Sequence, residues 1–492
     1  MKVASGVYRE TALALRPHVD LYGGFDPRTW RRDIFAFPSV LEGGGKDRLL
    51  EGADHSRLDG FVLREGRVRG PGGALLCSGV SPVIRNCVFA GNGTLAPRPW
   101  QPKELHETAH DGGAIACLNG ARPVIERNLF VRNFTEVGRG AAVAYSRSAG
   151  VLRENVFLEN RSGLADPMRS SDGGAVSLWD WSNPEVSDNL VLNNRALARN
   201  DGGGLFAALW SAPLIRNNVI AGNYADDDGG GLFVGGQKHH YSTVPDPVPS
   251  AEQYLVRILG NFIAGNSNRA AASGALRVTM ESRLLFVNNV VAENLGPARF
   301  QRSQVTVIHN TFLDPVRYEE VSEKLGPPVF ANNVMNGGFV APPGIIPVAS
   351  PVRGVYSREQ RTERGCEFDE EPFLLIAAES KYRPELCQTQ LTVSAPPAVD
   401  LRVGRIVRVG DRWSVVARVE GDSVLVWGDL AGVRALEVVP WFRLRPGSPC
   451  IDAGDDRYGW KEDREGRARP LHGAKALRAD PGAYEFAPRE RR

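Results

Sequence analysis

Hydrophobic residues in this chain occur in short runs of four or five positions, and glycine, asparagine or proline bounds most of the runs. The runs are rich in Val, Ile, Leu and Phe, which are common in β-strands. A repeat of helix pairs would need longer apolar stretches with a period of 3.6 residues, and the chain has no such repeat. The pattern therefore predicts many short strands joined by turns.

One phrase recurs along the chain: an apolar strand, an asparagine, two apolar residues, and a second asparagine or turn. It reads PVIERNLFVRN at 123–133, VLRENVFLEN at 151–160 and PLIRNNVIAGN at 213–223. The intervals between phrases run from 21 to 43 residues, so loops of variable length separate the repeats. The shortest intervals fit one coil of a parallel β-helix. The first asparagine of the phrase falls at Asn128, Asn155, Asn189, Asn218, Asn261, Asn289, Asn310 and Asn333.

In such a stack, equivalent side chains lie one strand spacing apart, about 4.8 Å. The amides of these asparagines can then hydrogen-bond to one another along the stack and satisfy the buried bend. We interpret them as structural residues and not as catalytic ones.

A second marker is an aspartate before two glycines. Asp111, Asp172 and Asp201 each stand 17 residues before a phrase asparagine, which indicates one strand, one turn and the next strand. Aspartate before Gly-Gly is a common turn former. These residues therefore have two open interpretations, as turn caps or as polar residues beneath a binding site.

Variable segments at 93–110, 161–171, 195–200, 224–228 and 236–254 are predicted to follow the second asparagine and to project from one side of the stack. Loops on a rigid scaffold often carry binding and catalysis. Paired carboxylates are what glycoside hydrolysis requires. The candidate catalytic residues are Asp201, Asp226, Asp227, Asp228, His239 and His240. The candidate binding residues are Trp100, His106, His110, Asp111, Asp172, Trp179, Trp210 and Tyr241.

The same acidic residues have alternative interpretations. Asp226 and Asp228 could instead hold Ca²⁺, the one cofactor that the pattern suggests. The Asp-Asp-Asp run and the adjacent histidines also fit solvated loops.

Composition narrows the class of protein. A net charge of +2 gives no strong field, which argues against nucleic acid as the main partner. No segment reaches the apolar length of a membrane span. The six cysteines lack metal-ligand spacing. Cys366 and Cys387 are candidates for a disulfide in an oxidising compartment, and the alternative is that all six are small buried residues.

The pairing of Gly-Gly phrases with the FxxN phrases at 130–133 and 157–160 resembles the repeats of bacterial polymorphic outer-membrane proteins and other pectin-lyase-like surface proteins. The ending, RPGSPCIDAGDD at 445–456 and DPGAYEF at 480–486, resembles the closing segment of exported β-helix proteins, a choice-of-anchor module. The resemblance implies an all-β, right-handed parallel β-helix at the cell surface or outside the cell. The first 25 residues lack the features of a secretory signal, so this location follows from the resemblance alone.

Four segments are predicted: N-terminal strands and first coils at 1–70, a repeat core at 71–340, a last coil with a linker and a small antiparallel insertion at 341–440, and the closing segment at 441–492. Strand alternation and Gly-Asp turns at 403–429 predict the insertion. Two functions stay open. One is a non-catalytic protein that binds polysaccharide or surface glycans, and the other is a polysaccharide lyase or glycoside hydrolase acting on acidic, pectin-like polysaccharide. The oligomeric state is not predicted.

Overall fold

The computed structural model describes residues 1–97, 110–166, 170–237, 247–351, 366–393, 401–469 and 478–486. The chain divides into two compact units, 1–366 with 449–492, and 367–448. The first unit is a right-handed parallel β-helix and the second is a closed antiparallel barrel, so the predicted fold class is confirmed. Within these ranges no helix is long and apolar enough to cross a membrane, and the helical turn present is the 3₁₀ turn Asp456–Tyr458.

Each coil of the β-helix runs through sheet A, sheet B and sheet C in turn, and in seven coils a short sheet D strand lies between B and C. All neighbouring strands in these sheets are parallel and nearly all are in register, as the recurring phrase predicts. Sheet A contains Lys2–Ala4, Asp20–Phe25, Arg57–Asp59, Val83–Arg85, Val124–Glu126, Val151–Arg153, Glu185–Ser187, Leu214–Arg216, Val256–Leu259, Arg283–Val287, Gln304–Ile308 and Val329–Ala331.

Sheet B lies after the first asparagine of each phrase. Its strands are Gly6–Tyr8, Ser39–Glu42, Phe61–Arg64, Val88–Ala90, Leu129–Val131, Val156–Leu158, Leu190–Leu192, Val219–Ala221, Phe262–Ala264, Val290–Ala292, Thr311–Phe312 and Val334–Met335. Sheet D contains Arg67–Val68, Gly93–Thr94, Phe134–Thr135, Arg161–Ser162, Arg195–Ala196, Tyr224–Ala225 and Ser267–Asn268.

Sheet C follows the Gly-Gly turns. Its strands are Leu13–Ala14, Leu50–Glu51, Leu75–Ser78, Ile115–Leu118, Val143–Ser146, Val176–Trp179, Leu205–Ala208, Leu232–Gly235, Leu276–Thr279, Ala298–Phe300, Val316–Tyr318 and Phe339–Val340.

The core lies inside the coils, where every second strand residue points inward and stacks on its equivalent. Phe89, Phe130 and Phe157 form such a stack, with ring centroids 4.8 and 4.9 Å apart. All three are fully buried. Because the strands are in register, each apolar position repeats along the whole column, which buries a continuous apolar interior.

Two columns of asparagine run through the bends that flank sheet B. In the first, Asn155 Nδ2 donates to Asn189 Oδ1 at 3.1 Å and to the Ile125 carbonyl at 2.9 Å, while the Asn155 backbone N–H donates to the same Oδ1. These side chains are buried, and each amide is satisfied by its neighbours. The first asparagine column is Asn128, Asn155, Asn189, Asn218, Asn261, Asn289, Asn310 and Asn333. The second is Asn92, Asn133, Asn160, Asn194, Asn223, Asn266 and Asn294.

The disulfide joins Cys366 to Cys450. The predicted pair of Cys366 with Cys387 is wrong, because Cys387 belongs to the barrel unit while Cys366 and Cys450 both belong to the β-helix unit. The separation between Cys366 and Cys450 spans the entire barrel, which no local sequence spacing indicates.

The barrel has its own apolar core, which includes Leu391, Val416, Val424 and Leu436. It is larger than the antiparallel insertion predicted at 403–429. Its strands, in order around the barrel, are Phe373–Arg383, Gln388–Val393, Ser423–Trp427, Arg412–Glu420, Ile406–Val409 and Ala435–Val438.

The closing segment predicted at 441–492 divides between the two units, because residues 441–448 belong to the barrel unit. The described residues 449–469 and 478–486 pack against the bends that precede sheet B. Asn332 Nδ2 donates to the Asp455 carbonyl at 3.0 Å, and Arg464 Nε donates to the Gly260 carbonyl at 3.0 Å. Arg469 and Glu485 form an ion pair at 3.1 Å, and both side chains are 1% exposed. Residues 449–469 and 478–486 are therefore an integral part of the β-helix unit.

Candidate functional site

The predicted Asp-Gly-Gly residues form a column at the turns that lead into sheet C. The aspartate column consists of Asp111, Asp172, Asp201 and Asp228, with Arg139 at the same place in the coil between Asp111 and Asp172. Asp201 N–H donates to Asp172 Oδ1 at 2.9 Å, and Asp228 N–H donates to Asp201 Oδ1 at 2.8 Å. One oxygen of each carboxylate thus ties two coils together.

The glycine after each aspartate allows this turn. Gly173 has a φ of +84°, and a Cβ there would lie 2.6 Å from the Val176 carbonyl oxygen. A side chain at this position would be strained and would clash, so the Gly-Gly signature has a steric cause.

Burial governs the protonation of the aspartate column. Burial raises the pKa of Asp172 to about 7, although the N–H of Asp201 and the charge of Arg139 act against the rise. Burial, together with the neighbouring Asp172 carboxylate, raises the pKa of Asp201 well above its ordinary value. Arg139 pairs with Asp111 at 2.9 Å, and its guanidinium lies 3.9 Å from the Trp179 ring centroid. Asp172 and Asp201 are therefore adjacent carboxyl groups with no cation between them.

The other candidate carboxylates have separate partners. Asp226 accepts a hydrogen bond from the Tyr224 hydroxyl at 2.9 Å and pairs with Arg269 at 3.1 Å. Asp228 accepts from the Ser273 hydroxyl at 2.7 Å and lies 3.4 Å from Arg277.

This arrangement bears on the metal hypothesis. Across the described residues, no group of three or more His, Cys, Asp or Glu side chains could hold a metal ion. Asp226 and Asp228 therefore do not belong to such a group, and a Ca²⁺ ion held by these two carboxylates stays a prediction.

The described aromatic and histidine candidates pack inside the protein. Trp179 is 5% exposed and stacks in one row with Phe206. Trp210 is 3% exposed and meets Tyr254 edge to face at 5.0 Å. His110 is also buried. These side chains are buried and do not present a surface to a ligand. Five further candidates lie outside the described residues: Trp100, His106, His239, His240 and Tyr241.

The variable segments do not all share one place in the coil. Segments 161–171, 195–200 and 224–228 begin at sheet D strands, as predicted. Segment 236–254 instead follows the sheet C strand Leu232–Gly235 and precedes the sheet A strand Val256–Leu259. Its predicted place after the second asparagine is wrong, because a complete sheet C strand comes between Asn223 and this segment.

The outer face of sheet A holds a feature that was not anticipated. Six consecutive coils present charged side chains of alternating sign, and neighbouring residues are in direct register through Asp59, Arg85, Glu126 and Arg153. The arginine side chains remain 29 to 47% exposed. We name the set Asp59, Arg85, Glu126, Arg153, Glu185 and Arg216 the arginine–carboxylate ribbon.

Ion pairs hold the ribbon in place. Arg85 lies 2.6 Å from Asp59, Arg153 lies 2.6 Å from Glu126, and Arg216 lies 2.7 Å from Glu185. Burial opposes the ionisation of Glu126, but hydrogen bonds from Arg153 and nearby arginine charges hold its pKa below the ordinary value. Glu126 is therefore ionised at neutral pH. The third letter of the strand phrases VIR, VIE, VLR and LIR is the signal that could have found Arg85, Glu126, Arg153 and Arg216, whereas Glu185 is the first letter of its strand, EVS.

The ribbon adjoins an open groove at its C-terminal coils. The groove has a volume of about 300 Å³, and its walls include two glutamates and an arginine. Its polar lining residues are Asn183, Glu185, Glu252, Gln253 and Arg257. The ribbon and groove together form an exposed polar surface made entirely of described residues.

The comparison with protein-family models agrees with the coil architecture. Residues 55–241 match a family model described as "Right handed beta helix region". No curated protein matches the chain. Among solved structures, the chain is similar to a tailspike protein double mutant of the E. coli bacteriophage HK620, with 10% sequence identity and a TM-score of 0.24, over 89% of this chain and 85% of that chain.

Proposed function

We propose that this protein binds an extended polysaccharide without catalysis, along the outer face of sheet A. The observation that carries the proposal is the exposed arginine–carboxylate ribbon, which leads into a polar groove. The exposed guanidiniums donate hydrogen bonds to sugar hydroxyls, and Glu185, which is 33% exposed, accepts them. Asp59 and Glu126 are 0% and 6% exposed and hold the arginines in place.

The repeat of the scaffold supports an extended ligand. Neighbouring coils lie about 4.8 Å apart and alternate in charge, so the same kind of group recurs at every second coil, about 9.6 Å apart, along the path of an extended ligand. The ion pairs already fix the side chains, which reduces the conformational entropy lost on binding. Because the charges alternate, the ribbon has little net charge, which favours hydrogen bonding to hydroxyl groups over attraction of a polyanion.

A glycan array with the full chain tests the proposal, followed by titration with the best polysaccharide. The variant R153A/R216A removes two guanidiniums that each make charge-assisted hydrogen bonds, and we expect affinity to fall at least about tenfold. Arg132→Ala is the matched control, because Arg132 forms a similar exposed pair with Glu159 at 2.8 Å outside sheet A. No glycan binding by the wild type, or equal binding by R153A/R216A, would refute the proposal.

One observation favours an enzyme as the second candidate. Asp172 and Asp201 are adjacent carboxyls with raised pKa values, and a general acid must hold its proton near neutral pH. Asp172 is only 3% exposed, which counts against substrate contact. Incubation with a polysaccharide panel, with and without Ca²⁺, tests this candidate. Release of reducing ends or unsaturated products by the wild type but not by Asp201→Asn would establish it.

A further inference from the structure

The outer face of sheet C carries three arginines in direct register. Arg277 is opposite Arg299, and Arg299 is opposite Arg317. Like charges directly opposite one another on neighbouring strands destabilise a sheet. We name Arg277, Arg299 and Arg317 the arginine column, and its stability requires negative charge nearby.

The described part of the chain supplies too few carboxylates for these three cations. Glu319 lies 2.7 Å from Arg299 and 3.7 Å from Arg277, so one carboxylate serves two guanidiniums. Asp228 lies 3.4 Å from Arg277 and also accepts a hydrogen bond from the Ser273 hydroxyl. Arg317 is exposed and has no ion pair with any described residue.

Arg277 shows the deficit most clearly. Its side chain is 8% exposed, yet its Nε and Nη1 atoms donate no hydrogen bond within the described structure. Burial and the nearby Arg299 charge lower the pKa of Arg277, while carboxylates including Asp228 and Glu319 oppose the fall. Nε lies 3.4 Å from Asp228 and Nη1 lies 3.7 Å from Glu319, so both atoms are in ion pairs without a hydrogen bond. A buried guanidinium with two such donor atoms is costly unless a further acceptor reaches it.

We infer that the arginine column is an oxoanion-binding site, in which Arg299 and Arg317 contact the anion and Arg277 adds positive charge from below. The ligand is a sulfate, phosphate or carboxylate group, either free or carried on a larger molecule. Planar guanidiniums one coil apart can each donate two hydrogen bonds to such a group. The inference is independent of the sheet A proposal, since it concerns a different sheet and different residues.

Glu319 is the internal competitor for this site. Its carboxylate pairs with the Arg299 guanidinium, to which an incoming anion would bind together with Arg317. Removing its charge with Glu319→Gln keeps a similar shape and leaves Arg299 without an ion pair. An anion should therefore bind more tightly to this variant than to the wild type.

Calorimetric titration of the full chain with sodium sulfate, at an ionic strength held constant with sodium chloride, tests the inference. We expect saturable binding, a loss of about tenfold in Arg317→Ala, and a gain of several-fold in Glu319→Gln. Arg317 is exposed, so its replacement should leave folding intact, and Arg132→Ala should bind sulfate as the wild type does.

A second arm with dextran sulfate identifies the source of the anion. Tighter binding per sulfate group than for the free ion would indicate a group carried on a polymer, and equal binding would indicate the free ion. The inference is refuted if neither the wild type nor Glu319→Gln binds sulfate saturably, or if Arg317→Ala binds both probes as well as the wild type does.

Discussion

The asparagine columns and the aspartate column occupy equivalent kinds of turn, yet their hydrogen bonds run in opposite directions. In the first asparagine column, Asn155 N–H donates to the amide oxygen of Asn189 in the next coil. In the aspartate column, Asp201 N–H donates back to the carboxylate of Asp172 in the coil before. An amide both donates and accepts, whereas an ionised carboxylate only accepts.

The two kinds of column therefore differ in their electrostatic cost. A column of amides satisfies itself and can extend for any number of coils. A column of carboxylates accumulates repulsion, which the protein meets with Arg139, Arg277 and raised pKa values. Repetition of a polar residue therefore does not by itself mark a functional site, and its chemical type decides what the repeat costs.

Replacing Arg139 should have the largest effect on this comparison. Arg139→Met leaves Asp111 buried without its cation, and Arg139 and Asp111 are 2% and 1% exposed. We expect the free energy of unfolding to fall by about 3 to 5 kcal/mol, measured by urea denaturation at neutral pH. The double variant D111N/R139M should recover most of the loss. A loss under about 1 kcal/mol in the single variant would show that Arg139 is not the required counter-charge.

Interrupting an asparagine column should come next. Asn189→Ala removes the acceptor of the Asn155 backbone and side-chain donors and the donor to the Leu152 carbonyl. We expect a loss of about 3 kcal/mol, since several buried groups lose their partners. The control is Asn183→Ala, an exposed residue that accepts one hydrogen bond, from Ala212 N–H. Similar losses in both variants would contradict a special role for the column.

Converting carboxylates to amides should sharpen the contrast. A raised pKa means that the unfolded chain releases its proton first, so the stability present below the ordinary aspartate pKa is lost as pH rises toward the folded value. For Asp172 that folded value is about 7. The variant D172N/D201N should therefore gain on the order of 2 kcal/mol over the wild type between about pH 5 and 8. Denaturation curves across that range measure it, and parallel pH profiles would contradict it.

The smallest effect is expected where a carboxylate ends an amide column. Asn294 Nδ2 donates to Asp314 Oδ2 at 2.6 Å, and burial raises the pKa of Asp314 to about 6. Asp314→Asn would continue the second asparagine column by one coil. We expect a gain of about 1 kcal/mol at pH 8 and little change at about pH 3, below the ordinary aspartate pKa, by the same linkage. A gain of equal size at both pH values would point to packing instead of charge.

The β-helix could be predicted from the sequence because its coils are in register. A phrase such as VLRENVFLEN repeats the same inward and outward positions, so periodicity alone predicts the strands and the stacking of Asn155 on its neighbours. Arg139 was missed because its coil reads GRGAA, without the aspartate that marked the other turns. The cysteine pairing depends on how distant segments pack, which no local pattern encodes.

The candidate site was less predictable for a related reason. Residue type alone makes Asp226 and Asp228 candidates for one site, but in the structure they have different ion-pair partners. The ribbon on sheet A depends on which face each charged residue occupies and on its neighbours in adjacent coils. Both follow from the register once it is known, and the alternation of Arg and Glu in the phrase was the available clue.

The disulfide between Cys366 and Cys450 joins the two chain segments that flank the barrel, so the barrel is an insertion between two neighbouring points of the β-helix unit. The two Cα atoms are 5.5 Å apart, although 84 positions separate them in the chain. A tight connector of a few residues could span that gap. The barrel could therefore be exchanged or deleted as a unit, in evolution or by engineering. The order of the coils and the packing of residues 449–469 would stay unchanged.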